Sequence, residues 1–318
     1  MDLIYTNANR IDQGVVPAYN FDLSYGADEN DFELTIGKKE TPLEYGTFVY
    51  IEGTEYGGIV GAMKTTSDAD SVTFMGRTWH GIMNSKIVEP DAGENYLVVS
   101  GDANEVLSLV VARLGLSELF VVDENDSGIH ISEYQFHRYC KGYDGLSDML
   151  ADHGAKLRIV WNARAVRLSA EPIADYTESP VDDDETFLSV EQHNSKVNHL
   201  VCLGRGNLAE REVIHLYLDQ FGRIGDTQYY TGLAEIADTY DNSNAEDLRS
   251  EGIKRFKELL DIDSAEISMN ENNNVAFDIG DKVGSTDITT GVSVSATVTQ
   301  KIVKINNGFI NIEYKTGR

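Results

Sequence analysis

Seven histidines are the first side chains of this sequence that could carry chemistry. They are His80, His130, His137, His153, His193, His199 and His215. No two of them have the i, i+4 spacing beside a carboxylate that a helical metal site uses, and His193 and His199 lie six residues apart before an expected strand. A metal site needs two or three converging groups. The sequence therefore predicts hydrogen-bonded or exposed histidines and no metal ligands.

Carboxylates are so abundant that they identify no catalytic pair. With 53 aspartates and glutamates, an accidental pair of the glycosidase type is the expected background. The segment 123–128 lacks the final acidic residue of a calcium loop, and 204–210 lacks the third glycine of a phosphate-binding loop. Neither a nucleophile elbow nor a zinc-protease motif occurs in the sequence. We therefore predict no catalytic residue, no cofactor and no enzymatic activity.

Aromatic side chains offer the remaining chemistry. The chain has 16 tyrosines and two tryptophans, Trp79 and Trp161, which could form a platform for sugars. Most aromatic residues lie at alternating strand positions, as Tyr50 and Phe74 do, where packing in a core is the usual reason for them. A carbohydrate-binding or cell-wall hydrolytic protein of the envelope stays open as the alternative interpretation.

The net charge sets the clearest limit on partners. The 318-residue chain carries a formal charge of −27, which repels nucleic acid and anionic membrane surfaces. The N-terminus lacks a basic segment followed by an apolar one, and the longest apolar run is interrupted by Arg113. Two isolated cysteines, Cys140 and Cys202, suit a reducing compartment and buried positions. We expect synthesis in the cytoplasm, no Sec-dependent secretion and no membrane anchor.

Three segments have the pattern of capped amphipathic helices. Residues 102–115 begin with Asp102 as N-cap, and residues 144–154 begin with Asp144 in the same role. A third helix is predicted over 243–261. Glycines follow the first two helices, as is usual at helix ends. These helices are the minority of the predicted structure.

Most other segments have the alternating pattern of strands. Residues 31–37 place Phe32, Leu34 and Ile36 on one face, 71–82 are interpreted as a strand, and 155–173 as a hairpin around Asn162 and Ala163. The C-terminal strands are joined at 306–308, where Asn-Asn-Gly suits a tight hairpin. The predicted fold class is a β-rich α+β protein.

Shifts in composition predict four parts. They are a strand-only part over 1–94, an inserted α+β lobe over 95–173, an acidic linker over 174–186, and a second strand-rich part over 187–318 with a helical insertion near 229–261.

Several motifs occur in one order along the chain and together resemble one protein family. They are DFEL at 31–34, EYGGI at 55–59, GRTWHGIM at 76–83 and DIGDKV at 278–283. Each motif alone is weak, because it consists of strands and turns. Their colinear order resembles the tail-hub proteins of long-tailed phages and prophages, the N-terminal module of tail-tip and tail-associated-lysin proteins.

This resemblance implies a fold and a set of structural positions. The fold would be two tail-tube-like β-barrels with inserted α+β lobes, so that 1–94 and 187–318 would be two barrel-like hub domains. The family-motif positions that match are Asp31, Phe32, Glu33, Leu34, Gly76, Arg77, Trp79, Gly280 and Asp281. Many relatives continue into a peptidase, lysozyme or fibre domain, and the matched motifs include no such part.

The resemblance also implies partners and a location. The protein would be a structural hub of a tail tip or baseplate, a homotrimeric ring that joins the tail tube and distal-tail ring to the tip. The end of the tape-measure protein and a receptor-binding appendage would be its other neighbours, in the virion. DNA would pass through the ring without specific binding, which the acidic charge favours.

Overall fold

A computed structural model describes residues 1–7, 9–39, 43–177, 186–191, 196–220, 222–245, 247–260, 264–269, 276–286, 293–306 and 308–317. Most of the predicted acidic linker lies outside these residues, as do His193 and Asn307. The described chain forms two compact units. Unit 1 comprises Met1–Leu188 with Glu266–Gly317, and unit 2 comprises Ser189–Ala265. The fourfold division predicted from composition stays a prediction.

Strands make up most of the regular structure. They are β1 (Leu3–Thr6), β2 (Asp12–Val16), β3 (Tyr19–Gly26), β4 (Asp31–Gly37), β5 (Phe48–Tyr50), β6 (Gly57–Thr65), β7 (Ser71–Thr78), β8 (Val98–Asp102), β9 (Phe120–Val122), β10 (His130–Gln135), β11 (Ala155–Asn162), β12 (Ala165–Pro172), β13 (Asp175–Tyr176), β14 (Thr186–Glu191), β15 (His199–Leu203), β16 (Val213–Leu218), β17 (Ile224–Gly225), β18 (Ala237–Asp241), β19 (Ser264–Met269), β20 (Lys282–Thr286), β21 (Ser293–Asn306) and β22 (Phe309–Gly317).

Helices are few, as the sequence predicts. They are α1 (Trp79–Asn84), α2 (Ala103–Arg113), α3 (Gly142–Asp152) and α4 (Leu248–Leu260). The β-rich α+β class is therefore confirmed. None of the helices in the described ranges is long and apolar enough to span a bilayer.

One large sheet organises unit 1. Its strand order is β14-β19-β22-β21-β3-β4-β7-β6-β5-β1-β2, with β20 paired to β21 and β13 to β20. Over the strands that the structure describes, this order has two ends and does not close on itself. In β4 the side chains of Phe32, Leu34 and Ile36 are buried while Asp31 and Glu33 are exposed, as the alternating pattern predicts.

The strands near the C-terminus join the strands near the N-terminus. β21 is antiparallel to β3, with Gln300 opposite Gly26 and Asn306 opposite Asn20. β21 also forms the predicted hairpin with β22, and Gly308 in the connection has a φ of 89°. Such a positive φ favours glycine. Composition predicts that these strands belong to a second part of the chain, whereas in the structure they extend the sheet that contains β3 and β4.

Helix α1 corrects the prediction of a continuous strand over 71–82. β7 ends at Thr78, whose hydroxyl accepts a hydrogen bond from the Gly81 backbone N–H at 3.2 Å. This N-cap satisfies one donor of the first helical turn. The first residue of α1, Trp79, is fully buried. The apolar run continues through the cap, so hydrophobicity alone does not mark where the strand becomes a helix.

The lobe that follows contains α2, α3 and the three-stranded sheet β11-β12-β9. Asp102 caps α2 as predicted, accepting from the Asn104 N–H at 2.8 Å. The predicted cap of α3 is wrong, because Lys141 occupies the N-cap and Asp144 lies in the first turn. The β11–β12 hairpin is confirmed, but its turn residues are Ala163 and Arg164, one residue later than the predicted Asn162 and Ala163, because Asn162 pairs with Ala165 in the sheet.

Leu150 provides a test of this lobe's core. Its side chain is fully buried on α3, so Leu150→Ala should lower the free energy of unfolding by about 2–5 kcal/mol. Leu109→Ala is the matched control, because Leu109 is 48% exposed on α2. Chemical denaturation of both variants measures the difference. A loss below roughly 0.5 kcal/mol for Leu150→Ala would contradict the packing described here.

Unit 2 is a four-stranded sheet covered on one face by α4. The strand order is β17-β16-β15-β18, and Leu200, Cys202 and Leu216 pack with Phe256 of the helix. Both cysteines are free thiols; Cys202 is buried as predicted, whereas Cys140 in unit 1 is half-buried.

Candidate functional site

Lys301 lies in the middle of unit 1 with its charge almost completely buried. Its side chain on β21 is 3% exposed, and its Nζ lies 2.5 Å from Glu55 Oε1 and 3.4 Å from Asp278 Oδ1. The ammonium also lies 5.8 Å from the centre of the Tyr314 ring. A buried charge is tolerated only when partners of opposite charge and hydrogen bonds compensate for lost water.

A second lysine extends the network into the lobe. Lys156 Nζ on β11 lies 2.7 Å from Asp281 Oδ1 and 3.0 Å from Asp278 Oδ2. Asp278 thus bridges the two lysines. We call Lys301, Lys156, Glu55, Asp278 and Asp281 the lysine–carboxylate network.

The turn 277–281 holds the two aspartates in place. The Asp278 N–H donates to Asp281 Oδ2 at 2.8 Å, and the Ala174 N–H donates to Asp281 Oδ1 at 3.0 Å. Gly280 has a φ of 98°, and a Cβ there would lie 3.0 Å from Lys156 Cβ. Glycine at 280 therefore permits both the turn and the close approach of Lys156.

The pKa values in the network follow from burial and pairing. Burial alone would lower the pKa of Lys301, but Glu55, the neighbouring tyrosines and Asp278 raise it above the ordinary value. Burial likewise opposes ionisation of Asp278, yet Lys301 and Lys156 lower its pKa. Lys301 and Asp278 are therefore both charged at neutral pH, and their attraction holds β21 to the turn 277–281.

The lysine–carboxylate network changes the pKa of His80, although His80 is not one of its members. Burial, and then the positive charge of Lys301, lower the pKa of His80 to about 3. Its ring stacks on Tyr25 with centroids 4.4 Å apart, and the pKa of Tyr25 is raised by burial and by Glu55. Both side chains are consequently neutral, and they pack as aromatic core residues.

Trp79 forms a second junction of distant segments. Its ring stacks on Trp161 of β11 with centroids 5.0 Å apart, and Phe48 of β5 packs edge-on against it at 5.6 Å. The loop before Glu55 pairs with the same strand, since the Trp161 N–H donates to the Thr54 carbonyl at 2.8 Å. The large sheet and the lobe are joined along β11.

Glycines in the motifs allow β4, β6 and β7 to approach closely. A Cβ at Gly76 would lie 2.0 Å from the Ile59 carbonyl oxygen and 2.6 Å from the Phe32 ring. At Gly58 a Cβ would lie 2.1 Å from the Arg77 carbonyl oxygen. Real Cβ atoms do not come this close to backbone, so any larger residue would force these strands apart.

The remaining motif positions are not part of either junction. Asp31 and Glu33 lie on the solvent-facing side of β4. Partial burial, and then the charges of Glu29 and Glu33, raise the pKa of Asp31. Arg77 is exposed, and its guanidinium donates to Ser85 Oγ at 2.7 Å. Of the positions predicted from the resemblance, Asp281, Gly280 and Trp79 lie in or beside the junctions. Sequence reasoning missed Lys156 and Lys301, because a lysine within a strand has the usual pattern of an exposed position.

This arrangement is built to hold segments together. Every carboxylate of the lysine–carboxylate network is engaged by a lysine. Within the described ranges, no three or more His, Cys, Asp or Glu side chains are arranged to hold a metal ion. The lysine–carboxylate network and the Trp79 stack connect segments from 48–55, 79–80, 156–161, 278–281 and 301.

Comparison with known proteins relates this fold to solved structures. No family model matches the sequence, and no curated protein matches it. The structure is similar to the 43 kDa tail protein of prophage MuSo2 from Shewanella oneidensis, with a TM-score of 0.56, 11% identity and coverage of 100% of this chain and 98% of that chain.

Two further structures have the same architecture. Prophage tail protein gp18 from Listeria monocytogenes EGD-e has a TM-score of 0.54 and 13% identity, with 100% of this chain and 94% of that chain covered. A chain of the phage P2 baseplate has a TM-score of 0.51 and 11% identity, with 99% and 98% covered. The resemblance predicted from the motifs is thus confirmed at the level of the fold: this chain has the fold of phage and prophage tail proteins and of a phage baseplate component.

Proposed function

We propose that this protein is a structural hub of a phage or prophage tail tip or baseplate. The observation that carries the proposal is the match of the fold over essentially the whole chain to tail and baseplate proteins. The ion pairs of the lysine–carboxylate network, which join the large sheet to the lobe, suit a component that bears load between neighbours. The protein acts by binding other tail proteins in the virion, and it catalyses no reaction.

The finer form of this proposal concerns assembly. Two tail-tube-like β-barrels per chain match a sixfold tube when three chains close a ring. The homotrimer would join the distal-tail ring to the tip, contact the end of the tape-measure protein, and carry any receptor-binding appendage. The net charge of −27 per chain lets DNA pass through the ring without binding, because a carboxylate surface releases no counterions from the phosphates.

We expect the purified chain to trimerise weakly and to trimerise more strongly as salt is added. The charge opposes association, and salt screens it over a Debye length of about 8 Å at physiological ionic strength. Sedimentation velocity across a salt series measures this, with and without the distal-tail protein. A stable twofold dimer that neither salt nor the partner changes would overturn the hub proposal.

The alternative, a carbohydrate-binding or cell-wall hydrolytic envelope protein, predicts different results in the same preparation. Binding on a glycan array, or peptidoglycan hydrolysis abolished by one Asp or Glu substitution, would favour that alternative. The two tryptophans do not support a sugar platform, since Trp79 and Trp161 are both buried and present no face to a sugar.

A further inference from the structure

Two histidines of unit 2 converge on the face of the sheet opposite α4. His199 lies on β15 and His215 on β16, 16 residues apart in sequence. His199 Nε2 and His215 Nδ1 lie 2.9 Å apart. His199 is mostly buried, whereas the His215 ring is exposed. The His199 ring is therefore enclosed by its neighbours, whereas the His215 ring is hydrogen-bonded to it and exposed to solvent.

Neighbouring groups fix the orientation of His199. Its Nδ1 lies 2.6 Å from Glu235 Oε1, and Gln228 Nε2 donates to the same oxygen at 3.0 Å. The Tyr217 ring stacks on the imidazole with centroids 4.4 Å apart. Since an ionised carboxylate only accepts hydrogen bonds, the hydrogen of neutral His199 lies on Nδ1. The lone pair of Nε2 then points towards His215.

We propose that His199 and His215 bind a divalent transition-metal ion, with Cu²⁺ preferred over Zn²⁺. Metal–imidazole bonds are about 2.0–2.1 Å long. Two nitrogens at a right angle around one ion are then about 3.0 Å apart, whereas a tetrahedral angle needs about 3.4 Å. The 2.9 Å between His199 Nε2 and His215 Nδ1 is a hydrogen-bond length, and it lies within about 0.5 Å of both of these N–N distances, so a rotation of the exposed His215 ring brings both nitrogens onto one ion. Cu²⁺ binds nitrogen ligands most tightly among the divalent first-row ions.

The Glu235–His199 contact is the arrangement that metal-binding histidines commonly have. A carboxylate that accepts from the second ring nitrogen orients the imidazole and makes it a better donor. On metal binding, the hydrogen on His215 Nδ1 moves to its Nε2, so that both imidazoles stay neutral and no net proton is released. Two metal–nitrogen bonds replace the hydrogen bond between the rings, and water fills the remaining coordination positions.

Calorimetric titration of the untagged full chain with NiCl₂ tests this site. We expect one equivalent to bind more tightly than any other, and His215→Gln to weaken it at least tenfold. Glu235→Gln should weaken it by about 10- to 100-fold, as is usual for a carboxylate behind a metal ligand. His130→Gln is the control, because His130 is an exposed histidine in unit 1 and should leave binding unchanged.

A second measurement identifies the ligands directly. Substoichiometric Ni²⁺ or Cu²⁺ should broaden two histidine Cε1–H resonances before all others, and these should be the resonances that His199→Gln and His215→Gln remove. Circular dichroism checks that each variant is folded. If His199→Gln does not fold, the result for His215→Gln alone tests the proposal. Equal affinity for wild type and His215→Gln, or no binding at millimolar Ni²⁺, would overturn the proposal.

Discussion

Lys301→Met should lower the free energy of unfolding by about 3 kcal/mol, the low end of the cost of breaking a buried ion pair, because the mostly buried Glu55 and the partly exposed Asp278 lose this cation. Glu55 loses its partner at 2.5 Å, and Asp278 keeps only Lys156. Methionine has nearly the length of the lysine stem, so packing changes little. The loss of unfolding free energy is therefore due to the missing charge. Urea denaturation at neutral pH measures it.

Lys304→Met is the matched control on the same strand. Lys304 lies three residues along β21 and pairs with Glu313 at 3.0 Å, with its side chain half exposed. Exposed ion pairs contribute about 0–1 kcal/mol, so this variant should unfold close to wild type. Equal losses for the two variants would mean that the Lys301 pairs are solvated and contribute no more than a surface pair.

The pH dependence of the Lys301 variant follows from the carboxylates it leaves behind. A lowered pKa, as for Asp278, contributes stability above the unfolded pKa, and that contribution is lost as the pH falls through the folded pKa. A protonated Asp278 needs no cation. The difference between wild type and Lys301→Met should therefore shrink as the pH falls below about 4. A difference that grew in acid would contradict a charge-based loss.

Gly76→Ala should destabilise the protein by about 4 kcal/mol or more, beyond the usual range for overpacking. The added Cβ would lie 2.0 Å from the Ile59 carbonyl oxygen on β6. That atom belongs to the backbone of the neighbouring strand and cannot rotate away as a side chain would. The added methyl must therefore separate β7 from β6 or displace Phe32.

Gly61→Ala on β6 separates this effect from the ordinary cost of replacing glycine. A Cβ at Gly61 meets nothing within 4 Å. This variant should therefore be close to neutral, or slightly stabilising because alanine lowers the conformational entropy of the unfolded chain. Thermal unfolding of both variants distinguishes them. If Gly76→Ala unfolds at the wild-type temperature, the strands are further apart than the structure places them.

Local patterns in the sequence were sufficient for much of the fold. The β4 alternation at Phe32 and Leu34, the cap at Asp102 and the β11–β12 hairpin all have short-range signals, because neighbouring residues determine them. The start of α1 has no such signal: Trp79 continues an apolar strand, and only the Thr78 hydroxyl bond marks the change. In α3, Asp144 is of a residue type that often caps helices, but it lies inside the first turn.

The junctions were harder to predict, because their residues meet only in three dimensions. Asp281 and Gly280 were found through a motif, yet the motif does not say that Lys156 is their partner. Lys301 resembles an exposed strand position until β21 is placed between β3 and β22. Spacing in the sequence relates His199 to His193, six residues away, whereas the strand register brings it to His215.

The pairing of β21 with β3 has a consequence for how the chain is made. Gln300 donates a hydrogen bond to Ser24 across 276 residues of sequence. At translation rates of roughly 5–20 residues per second, β3 waits about 15–55 s for that partner to be synthesised. During this time one edge of β3 has unpaired backbone groups that can template association with other chains. Such long-range pairing also slows folding. A nascent-chain binding factor that shields residues 19–26 would therefore raise the yield of folded protein more than one acting on the locally closed lobe.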